Sequence, residues 1–293
     1  MEDLYAKEDE DNPFEANEIR FWSAKTMFKF LLVGLPRLLL IFVYYIIIII
    51  LSFTMTTEVS DYNNYLSKYM SILKMYLYGY KNFRIDEKTK NIIKNSKAQI
   101  IVANHASYCD AFFLIHLFPD AKFIVSDFIA NVPIIKKVIN YRSIYLTSDF
   151  SGNLTEKIQE YLNKGRRIVF FSEGVCKNPK LLLKLRNGAF VPRINILPIH
   201  IDYDNNAYYV AGEQDMIRHI LHYSAVRKKN VYVRALDEYI LSEEDKTGDI
   251  EVFKENFRKY YAKGFGIKLS NKSYMDQPYY KMKKLEYEKV KKN

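Results

Sequence analysis

Short apolar runs alternate with segments of helical periodicity over most of the chain after residue 98. The runs are rich in β-branched side chains and predict strands at 100–103, 122–125, 144–147, 168–171, 196–201, 207–211 and 230–235. Between them, apolar residues spaced three and four apart predict helices at about 111–118, 128–140, 153–163, 213–223 and 249–263. This alternation predicts an α/β fold, with a mixed, largely parallel sheet flanked by helices.

A much longer apolar segment precedes this alternation and predicts an N-terminal membrane-embedded helical segment. Residues 38–57 carry no charged side chain and include the run Ile46–Ile50, which is long enough to cross the hydrocarbon core. A spanning helix is one alternative. The other, which we favour, is a shallow hairpin turning at Gly34 and Pro36 and returning both ends to one face. Basic residues are more frequent before the segment than after it, which places the N-terminus in the cytosol.

Residues 62–80 also follow a helical period, with tyrosine, leucine and methionine on one side and asparagine, serine and lysine on the other. Two interpretations remain open for this amphipathic segment. It is either an interfacial helix lying on lipid headgroups or a helix whose apolar side faces a protein core.

The distribution of charge along the chain indicates what kind of partner the protein binds. The net charge is +10, but the first 18 residues carry −7 and the remainder +17. A basic body indicates an anionic partner. Zinc-finger spacing, aromatic strand signatures and a glycine-rich phosphate loop are missing from the sequence, so a phospholipid membrane is favoured over nucleic acid. The two cysteines, Cys109 and Cys176, are expected to be reduced thiols in a cytosolic compartment.

The first candidate site follows the predicted strand 100–103, where Asn104 and His105 precede Asp110. If a helix begins at Asp110, the histidine lies at a strand-to-helix turn, where α/β proteins place their ligands. A carboxylate can accept a hydrogen bond from one imidazole nitrogen, and the other nitrogen can then take a proton from a hydroxyl. The spacing alone is common by chance.

A second candidate site follows the predicted strand 168–171, which ends in Ser172, Glu173 and Gly174. Glycine allows the backbone to turn and to approach a ligand closely. The carboxylate can hydrogen-bond a hydroxyl, and the cations Lys177 and Arg186 suit a phosphate.

Taken in order, these residues resemble the motifs of the glycerophospholipid acyltransferase superfamily over about residues 98–202. Asn104, His105 and Asp110 match its first motif, and Ser107 is typical of it. The third motif matches Phe171, Glu173 and Gly174, and the fourth matches Leu197-Pro198-Ile199. The Glu-Gly-x-Cys-x-Asn segment and the upstream Asn12-Pro13-Phe14 resemble most the lysophosphatidylcholine/lysophosphatidylethanolamine acyltransferase branch.

The chain departs from the family pattern at three positions. Ser172 replaces the usual proline, and Val175 replaces the usual threonine. Ser148 stands where the second motif normally carries an arginine for the glycerol phosphate, and the nearby Arg142 is a possible substitute. These departures leave the acceptor headgroup open.

The resemblance implies a membrane-bound enzyme that transfers an acyl chain from acyl-coenzyme A to the free glycerol hydroxyl of a lysophospholipid. His105 is the expected general base and Asp110 its orienting partner, with no metal and no cofactor beyond the acyl-coenzyme A co-substrate. The expected substrate-binding residues are Asn104, Ser107, Arg142, Glu173, Gly174, Lys177 and Arg186. Alternative acceptors are lysophosphatidic acid and glycerol 3-phosphate, an alternative donor is a phospholipid, and an inactive membrane scaffold is the alternative outside the enzyme class.

These inferences divide the chain into four parts. We expect a disordered acidic tail at 1–18, membrane-attachment helices at 19–80, a catalytic domain at 81–265 and a basic tail at 266–293. The final residues, Lys289-Val290-Lys291-Lys292-Asn293, resemble a cytosolic dilysine signal. Location in the endoplasmic reticulum membrane, with the catalytic domain on the cytosolic face, is therefore expected.

Overall fold

A computed structural model describes residues 12–15, 24–53, 61–80, 82–126, 143–146, 154–204, 209–210, 216–226 and 229–280. The predicted helix 128–140, Arg142, Ser148 and the C-terminal tail from 281 lie outside these residues, as does most of the predicted acidic tail. The helices are α1 (Ala24–Lys29), α2 (Leu35–Ser52), α3 (Asp61–Leu77), α4 (Glu87–Asn95), α5 (Asp110–Leu117), α6 (Leu154–Asn163), α7 (Met216–Ala225), α8 (Glu243–Thr247) and α9 (Ile250–Phe265).

Among the described residues, seven strands form the main sheet, and two very short strands form a second one. The strands are β1 (Asn82–Ile85), β2 (Ile100–Ala103), β3 (Lys122–Ser126), β4 (Ser143–Leu146), β5 (Ile168–Phe170), β6 (Leu181–Leu182), β7 (Ile196–Tyr203), β8 (Asn230–Ala235) and β9 (Lys268–Leu269). The main sheet has the order β1-β8-β7-β2-β5-β3-β4, and β6 pairs with β9. In the main sheet, the β7–β8 pair is antiparallel and the other pairs are parallel, which confirms the predicted α/β class.

The central strand β2 explains why its sequence is apolar without interruption. Ile100 and Val102 contribute to the core beneath α6 and α9, whereas Ile101 and Ala103 contribute to the core beneath α5. Successive side chains of a strand point to opposite faces, so a strand covered on both faces is apolar at every position. The predicted strand 207–211 is not present at its described residues, 209–210.

The apolar N-terminal segment is one continuous helix rather than a hairpin that turns at Gly34. Residues Phe30–Gly34 form a π-helical turn between α1 and α2, and Pro36 lies in the first turn of α2. Proline is tolerated there because the first helical amides have no intrahelical acceptor. The predicted break is therefore wrong in position. Helix α3 lies against α2, since the Tyr44 hydroxyl donates to the Met70 carbonyl at 3.1 Å.

Within the described residues, Met27–Ser52 is the helix long and apolar enough to cross a membrane. Its large side chains are mostly exposed, including Phe28, Phe42 and Ile50. One such helix is compatible with a membrane segment by its length and composition alone.

Helix α3 is packed the opposite way from a helix of a water-soluble domain. It buries a polar stripe of Asn63, Ser67, Ser71 and Lys74 and exposes tyrosines. The exposed tyrosines are Tyr62, Tyr65, Tyr69 and Tyr76. Tyrosine is favoured at the membrane–water interface, so this arrangement favours the interfacial interpretation of the segment over the core-facing one.

Candidate active site

Three adjacent parallel strands end at the same edge of the sheet and place the candidate residues there. Strand β2 leads into the segment 104–110, which we call the histidine loop. Strand β5 leads into the segment 171–178, which we call the glutamate loop. Strand β7, on the other side of β2, ends at Tyr203. The carboxyl ends of parallel strands are the usual location of ligand sites in such sheets.

A hydrogen bond of 2.9 Å joins His105 Nδ1 to Asp110 Oδ2. The same oxygen accepts the backbone amides of Ala106 and Ser107, at 2.7 Å and 2.8 Å. Asp110 is completely buried in the first turn of α5, and 23% of the His105 side chain is exposed. Because Asp110 offers only acceptor oxygens here, Nδ1 is assigned the proton, and Nε2 is the nitrogen with a lone pair.

Tyr203 completes the environment of Asp110, and sequence reasoning missed it. Its hydroxyl donates to Asp110 Oδ1, the oxygen that His105 does not use. Burial first, and then the proximity of Asp110, raise the pKa of Tyr203 well above its usual value, so the phenol keeps its proton. The available signal was its place at the carboxyl end of β7, which lies next to β2 in the sheet.

The imidazole of His105 packs against the ring of Phe171, with the ring centroids 4.2 Å apart and the planes 17° from parallel. Burial lowers the pKa of His105, but interactions with Cys176 and with the carboxylate of Asp110 outweigh it, and the pKa is raised. Both loops therefore contact the imidazole, Phe171 and Cys176 belonging to the glutamate loop and Asp110 to the histidine loop.

Asn104 and Ser107 are buried and hydrogen-bonded within the protein. The Asn104 amide nitrogen donates to the Ile201 carbonyl at 3.0 Å, and its oxygen accepts the Ile201 amide at 2.7 Å. The Ser107 hydroxyl accepts the Cys109 amide at 3.1 Å. Asn104 thus holds the histidine loop against β7, and Ser107 stabilises the turn within that loop. Their predicted contact with substrate stays a prediction.

Glu173 and Lys177 form an ion pair of 3.0 Å, and each side chain is only 1% exposed. The Lys177 ammonium also donates to the carbonyls of Asn178 and Leu181, and Glu173 Oε2 accepts the Leu183 amide at 2.8 Å. Burial lowers the pKa of Lys177, and Glu173 partly opposes this. Lys177 is thus better placed to hold the glutamate loop than to bind a phosphate.

Gly174 and Arg186 lie against each other at the surface of the glutamate loop. Gly174 has a φ of 77°, and a Cβ there would lie 2.8 Å from Arg186 Cδ. The Arg186 guanidinium lies over the ring of Tyr274, 4.8 Å from its centroid, and the residue is half-buried. Of the predicted cations in the described part of the site, Arg186 is the one nearest to solvent.

These features are typical of a site that removes a proton from a hydroxyl group. A histidine is oriented by a buried carboxylate, is partly open to solvent, and lies where three parallel strands end. Such a pair can act as a general base toward a hydroxyl, which is the first step of acyl transfer. Arg142, which was predicted to bind substrate, lies outside the described residues and has no assigned place in this site.

Residues 84–202 match the family model described as Acyltransferase. This stretch contains both loops and ends one residue before Tyr203. Over this region, the chain is therefore similar to the glycerophospholipid acyltransferase superfamily, which confirms the resemblance drawn from its motifs.

Curated relatives are lysophospholipid acyltransferases of modest identity. The lysophosphatidylcholine acyltransferase of Drosophila melanogaster is 26% identical over 187 residues, covering 60% of this chain and 35% of that protein. The lysophospholipid acyltransferase LPEAT1 of Arabidopsis thaliana is 29% identical over 195 residues, covering 61% and 48%. The chain therefore spans between about a third and a half of the length of these relatives.

A solved structure has the same fold. It is the 1-acyl-sn-glycerophosphate (LPA) acyltransferase PlsC of Thermotoga maritima, with a TM-score of 0.56 and 16% identity. The match covers 82% of this chain and 98% of that one, so the fold extends beyond the region of the family model.

Proposed function

We propose that this protein transfers an acyl chain from acyl-coenzyme A to the free glycerol hydroxyl of a lysophospholipid, with lysophosphatidylcholine or lysophosphatidylethanolamine favoured. The hydrogen bond between His105 and the buried Asp110 is the observation that carries the proposal. The names of the curated relatives support the acceptor class, and the catalytic unit is proposed to lie within 81–265.

The proposed reaction is one direct transfer. His105 Nε2 takes the proton of the glycerol hydroxyl, and the hydroxyl oxygen attacks the thioester carbonyl of acyl-coenzyme A. The tetrahedral intermediate then collapses, breaking the carbon–sulfur bond. The departing thiolate takes the proton from His105, so the products are a phospholipid and free coenzyme A. Asp110 keeps its bond to Nδ1 throughout and stabilises the imidazolium that forms.

The glutamate loop supplies candidates for the other contacts. Oε1 of Glu173 is buried and has no hydrogen-bond partner within the described residues, so we assign it to a substrate hydroxyl. The Gly174 amide already donates to the Phe171 carbonyl at 2.9 Å, which leaves the amides of Val175 and Cys176 as candidates for the oxyanion. Arg186 is assigned to the phosphate of the acceptor.

The proposed location is the endoplasmic reticulum membrane, with the site on the cytosolic face. Both substrates carry acyl chains, and the exposed apolar helix Met27–Ser52 offers attachment to the lipid from which they come. Protease protection in sealed microsomes tests the orientation. Cleavage of residues 100–293 by added protease is expected, and their full protection would contradict a cytosolic site.

The decisive experiment is an acyl-transfer assay with purified protein in phospholipid vesicles. Labelled acyl-coenzyme A is offered with lysophosphatidylcholine, lysophosphatidylethanolamine, lysophosphatidic acid or glycerol 3-phosphate. We expect product from one of the first two, and a decrease of about 10²- to 10⁴-fold in His105→Ala, the usual contribution of a general base. His116→Ala is the matched control, because His116 lies in α5 outside both loops.

Product from lysophosphatidic acid alone would keep the mechanism and change the acceptor. Label transferred from a phospholipid donor, with none from acyl-coenzyme A, would identify a transacylase. If no donor and acceptor pair reacts, and His105→Ala binds vesicles as wild type does, the proposal is refuted and a membrane scaffold remains.

A further inference from the structure

The turn Asn12–Glu15 lies against the two loops of the candidate site, although the long apolar helix separates it from them in sequence. The Asn12 side-chain oxygen accepts the Phe14 amide at 2.9 Å, and the Glu15 amide donates to the Asn12 carbonyl at 3.2 Å. Asparagine followed by proline is suited to such a turn, since the asparagine side chain bonds the backbone two residues on. The turn presents Phe14 inward.

Phe14 is completely buried, in a small apolar cluster of its own with Ala106, Val175, Leu183 and Val210. The ring of Tyr280 closes the cluster, 5.4 Å from the Phe14 ring. The buried residues of this cluster belong to neither of the two larger cores on the faces of the sheet, although Tyr203 packs against both this cluster and the core beneath α5. An aromatic side chain buried outside the main core is expected to serve the elements that it touches.

Four residues that line the Phe14 pocket are connected to the site. Ala106 follows His105 in the histidine loop, and Val175 precedes Cys176 in the glutamate loop. Leu183 donates its amide to Glu173 Oε2 at 2.8 Å. Val210 follows Tyr209, whose amide donates to the Ala106 carbonyl at 2.8 Å. Phe14 thus fills the space behind both loops at once.

Backbone hydrogen bonds also connect the turn Asn12–Glu15 to both loops. The Pro13 carbonyl accepts the Asn178 amide at 3.1 Å, and the neighbouring Lys177 amide donates to the His105 carbonyl at 3.0 Å. The order of contacts is therefore turn, glutamate loop, histidine loop. A shift of the turn would reach the imidazole through two adjacent hydrogen bonds.

We propose that Phe14 is a positioning residue of the active site, which sets the separation of the histidine loop from the glutamate loop. The inference rests on the proposed function, since it assigns Phe14 a part in the reaction of His105. It predicts that the turn acts on the rate of the chemical step, because small displacements of a base from its substrate lower that rate strongly.

The test compares Phe14→Ala, Phe14→Leu and the control Ile240→Ala. The Ile240 side chain is 64% exposed, and the preceding residue, Tyr239, bridges to Ile196 at the start of β7, the end of that strand away from the site. Acyl transfer is measured with the full chain in vesicles. We expect Phe14→Ala to lower kcat by about 100-fold, the effect of a displacement near 1 Å, with little change in KM. Phe14→Leu refills most of the pocket and should recover most of the rate, and Ile240→Ala should match wild type.

Hydrogen exchange of the same proteins separates positioning from a loss of stability. In Phe14→Ala, the amides of residues 105–107 and 175–178 should exchange faster, while β2 and β5 stay protected. An unchanged kcat in Phe14→Ala would overturn the inference. Loss of protection in the strands in proportion to the loss of rate would also overturn it, since Phe14 would then be an ordinary stabilising side chain.

The two proposals fail in different ways. If wild type transfers acyl chains and Phe14→Ala is as fast, only the positioning role is lost. If wild type has no transferase activity with any acceptor, the proposed function is lost, and unchanged exchange of both loops in Phe14→Ala would then refute the positioning role independently.

Discussion

At the scale of single residues, the site is organised around one carboxylate. One oxygen of Asp110 accepts hydrogen bonds from His105 and from two backbone amides, and the other accepts a hydrogen bond from the Tyr203 hydroxyl. Four donors on a buried carboxylate fix its rotamer, and with it the direction of the imidazole. The carboxylate therefore orients the imidazole, while the position of the carboxylate itself is set by the turn into α5 and by the end of β7.

The first prediction at this scale concerns pH. The raised pKa of His105 means that the neutral, proton-accepting form is gained as the pH rises, so kcat/KM should fall toward acidic pH. The inflection is expected above 6.5, the ordinary value for histidine. Cys176→Ala removes one of the two causes of the raised pKa and should move the inflection to lower pH. A wild-type inflection at or below the ordinary value would contradict the assignment.

A second prediction uses two glycines with similar backbone conformations. Gly174 and Gly165 have φ of 77° and 69°, but a Cβ would approach Arg186 at Gly174 and meet nothing within 4 Å at Gly165. Both alanine variants should lose about 1–2 kcal/mol of unfolding free energy, the cost of left-handed backbone for an L-residue. Urea titration measures this.

Only Gly174→Ala should also raise KM for the lysophospholipid, by about 10-fold, as expected for losing one charge-assisted contact of about 1.5 kcal/mol. The reason is that its Cβ displaces Arg186, the proposed phosphate ligand, from beside the loop. Equal KM values in Gly174→Ala and Gly165→Ala would show that Arg186 does not bind the phosphate of the acceptor.

At the scale of elements, the glutamate loop is held by a buried ion pair rather than by apolar packing alone. Both Glu173 and Lys177 are almost fully buried, and the pair is supported by the backbone of Leu181 and Leu183. A buried pair is stabilising only relative to its broken form, because each charge alone in the interior is costly.

The prediction for this pair is a comparison of single and double variants. Lys177→Met leaves the Glu173 charge without a partner and should cost about 3–5 kcal/mol of unfolding free energy. Glu173→Gln with Lys177→Met removes both charges and should recover most of that loss. Thermal unfolding in detergent measures both. Equal destabilisation of the single and double variants would show that the loss in Lys177→Met does not come from leaving the Glu173 charge without a partner.

A strand that is covered on both faces could be predicted from the sequence, whereas very short strands and a strand at the edge of the sheet could not. Strand β2 was placed at 100–103 because every residue is apolar, and the structure has it at Ile100–Ala103. Strand β1 was missed, since Asn82-Phe83-Arg84-Ile85 is short and alternates polar with apolar at the edge of the sheet. The β6–β9 pair has two residues in each strand, too few to form a pattern.

The same distinction applies to the site. The contact of His105 with Asp110 is local, five residues apart across one strand-to-helix turn, and could be anticipated. Asn104 is predicted to bind substrate from the family resemblance, and Lys177 because a cation suits a phosphate. Their actual partners, Ile201 and Glu173, depend on packing that the residue type does not reveal. The contacts of Phe14 and Tyr203 link distant parts of the chain and left no local signal.

At the scale of the whole molecule, the α/β body is joined to an exposed apolar helix. Arg37 of α2 donates to the carbonyls of Ser224 and Val226 at 2.5 Å and 2.7 Å, at the end of α7. A cation at a helix C-terminus is favoured by the helix dipole and by the carbonyls left without amides. This contact fixes where the apolar helix leaves the body.

Membrane attachment can be tested with two side chains of equal exposure. Phe42 on α2 and Ile240 on the α/β body are each 64% exposed. Phe42→Lys should weaken flotation with phospholipid vesicles, since a lysine near the centre of a membrane helix costs about 2.5–3.5 kcal/mol. Ile240→Lys should float as wild type does. If both variants float unchanged, this face of α2 does not contact lipid.

The position of Phe14 has a consequence for biosynthesis. Ribosomes make Phe14 before the apolar helix and before every residue of the pocket that receives it. Roughly 200 residues separate Phe14 from Val210, and synthesis at about 5–20 residues per second takes about 10–40 s for that length. During this interval the nascent chain can insert its apolar helix into lipid and build its central strands, but the first turn has nowhere to bind. Docking of that turn is therefore a late event of maturation, and the two loops can take their final positions only after the ribosome has passed Val210.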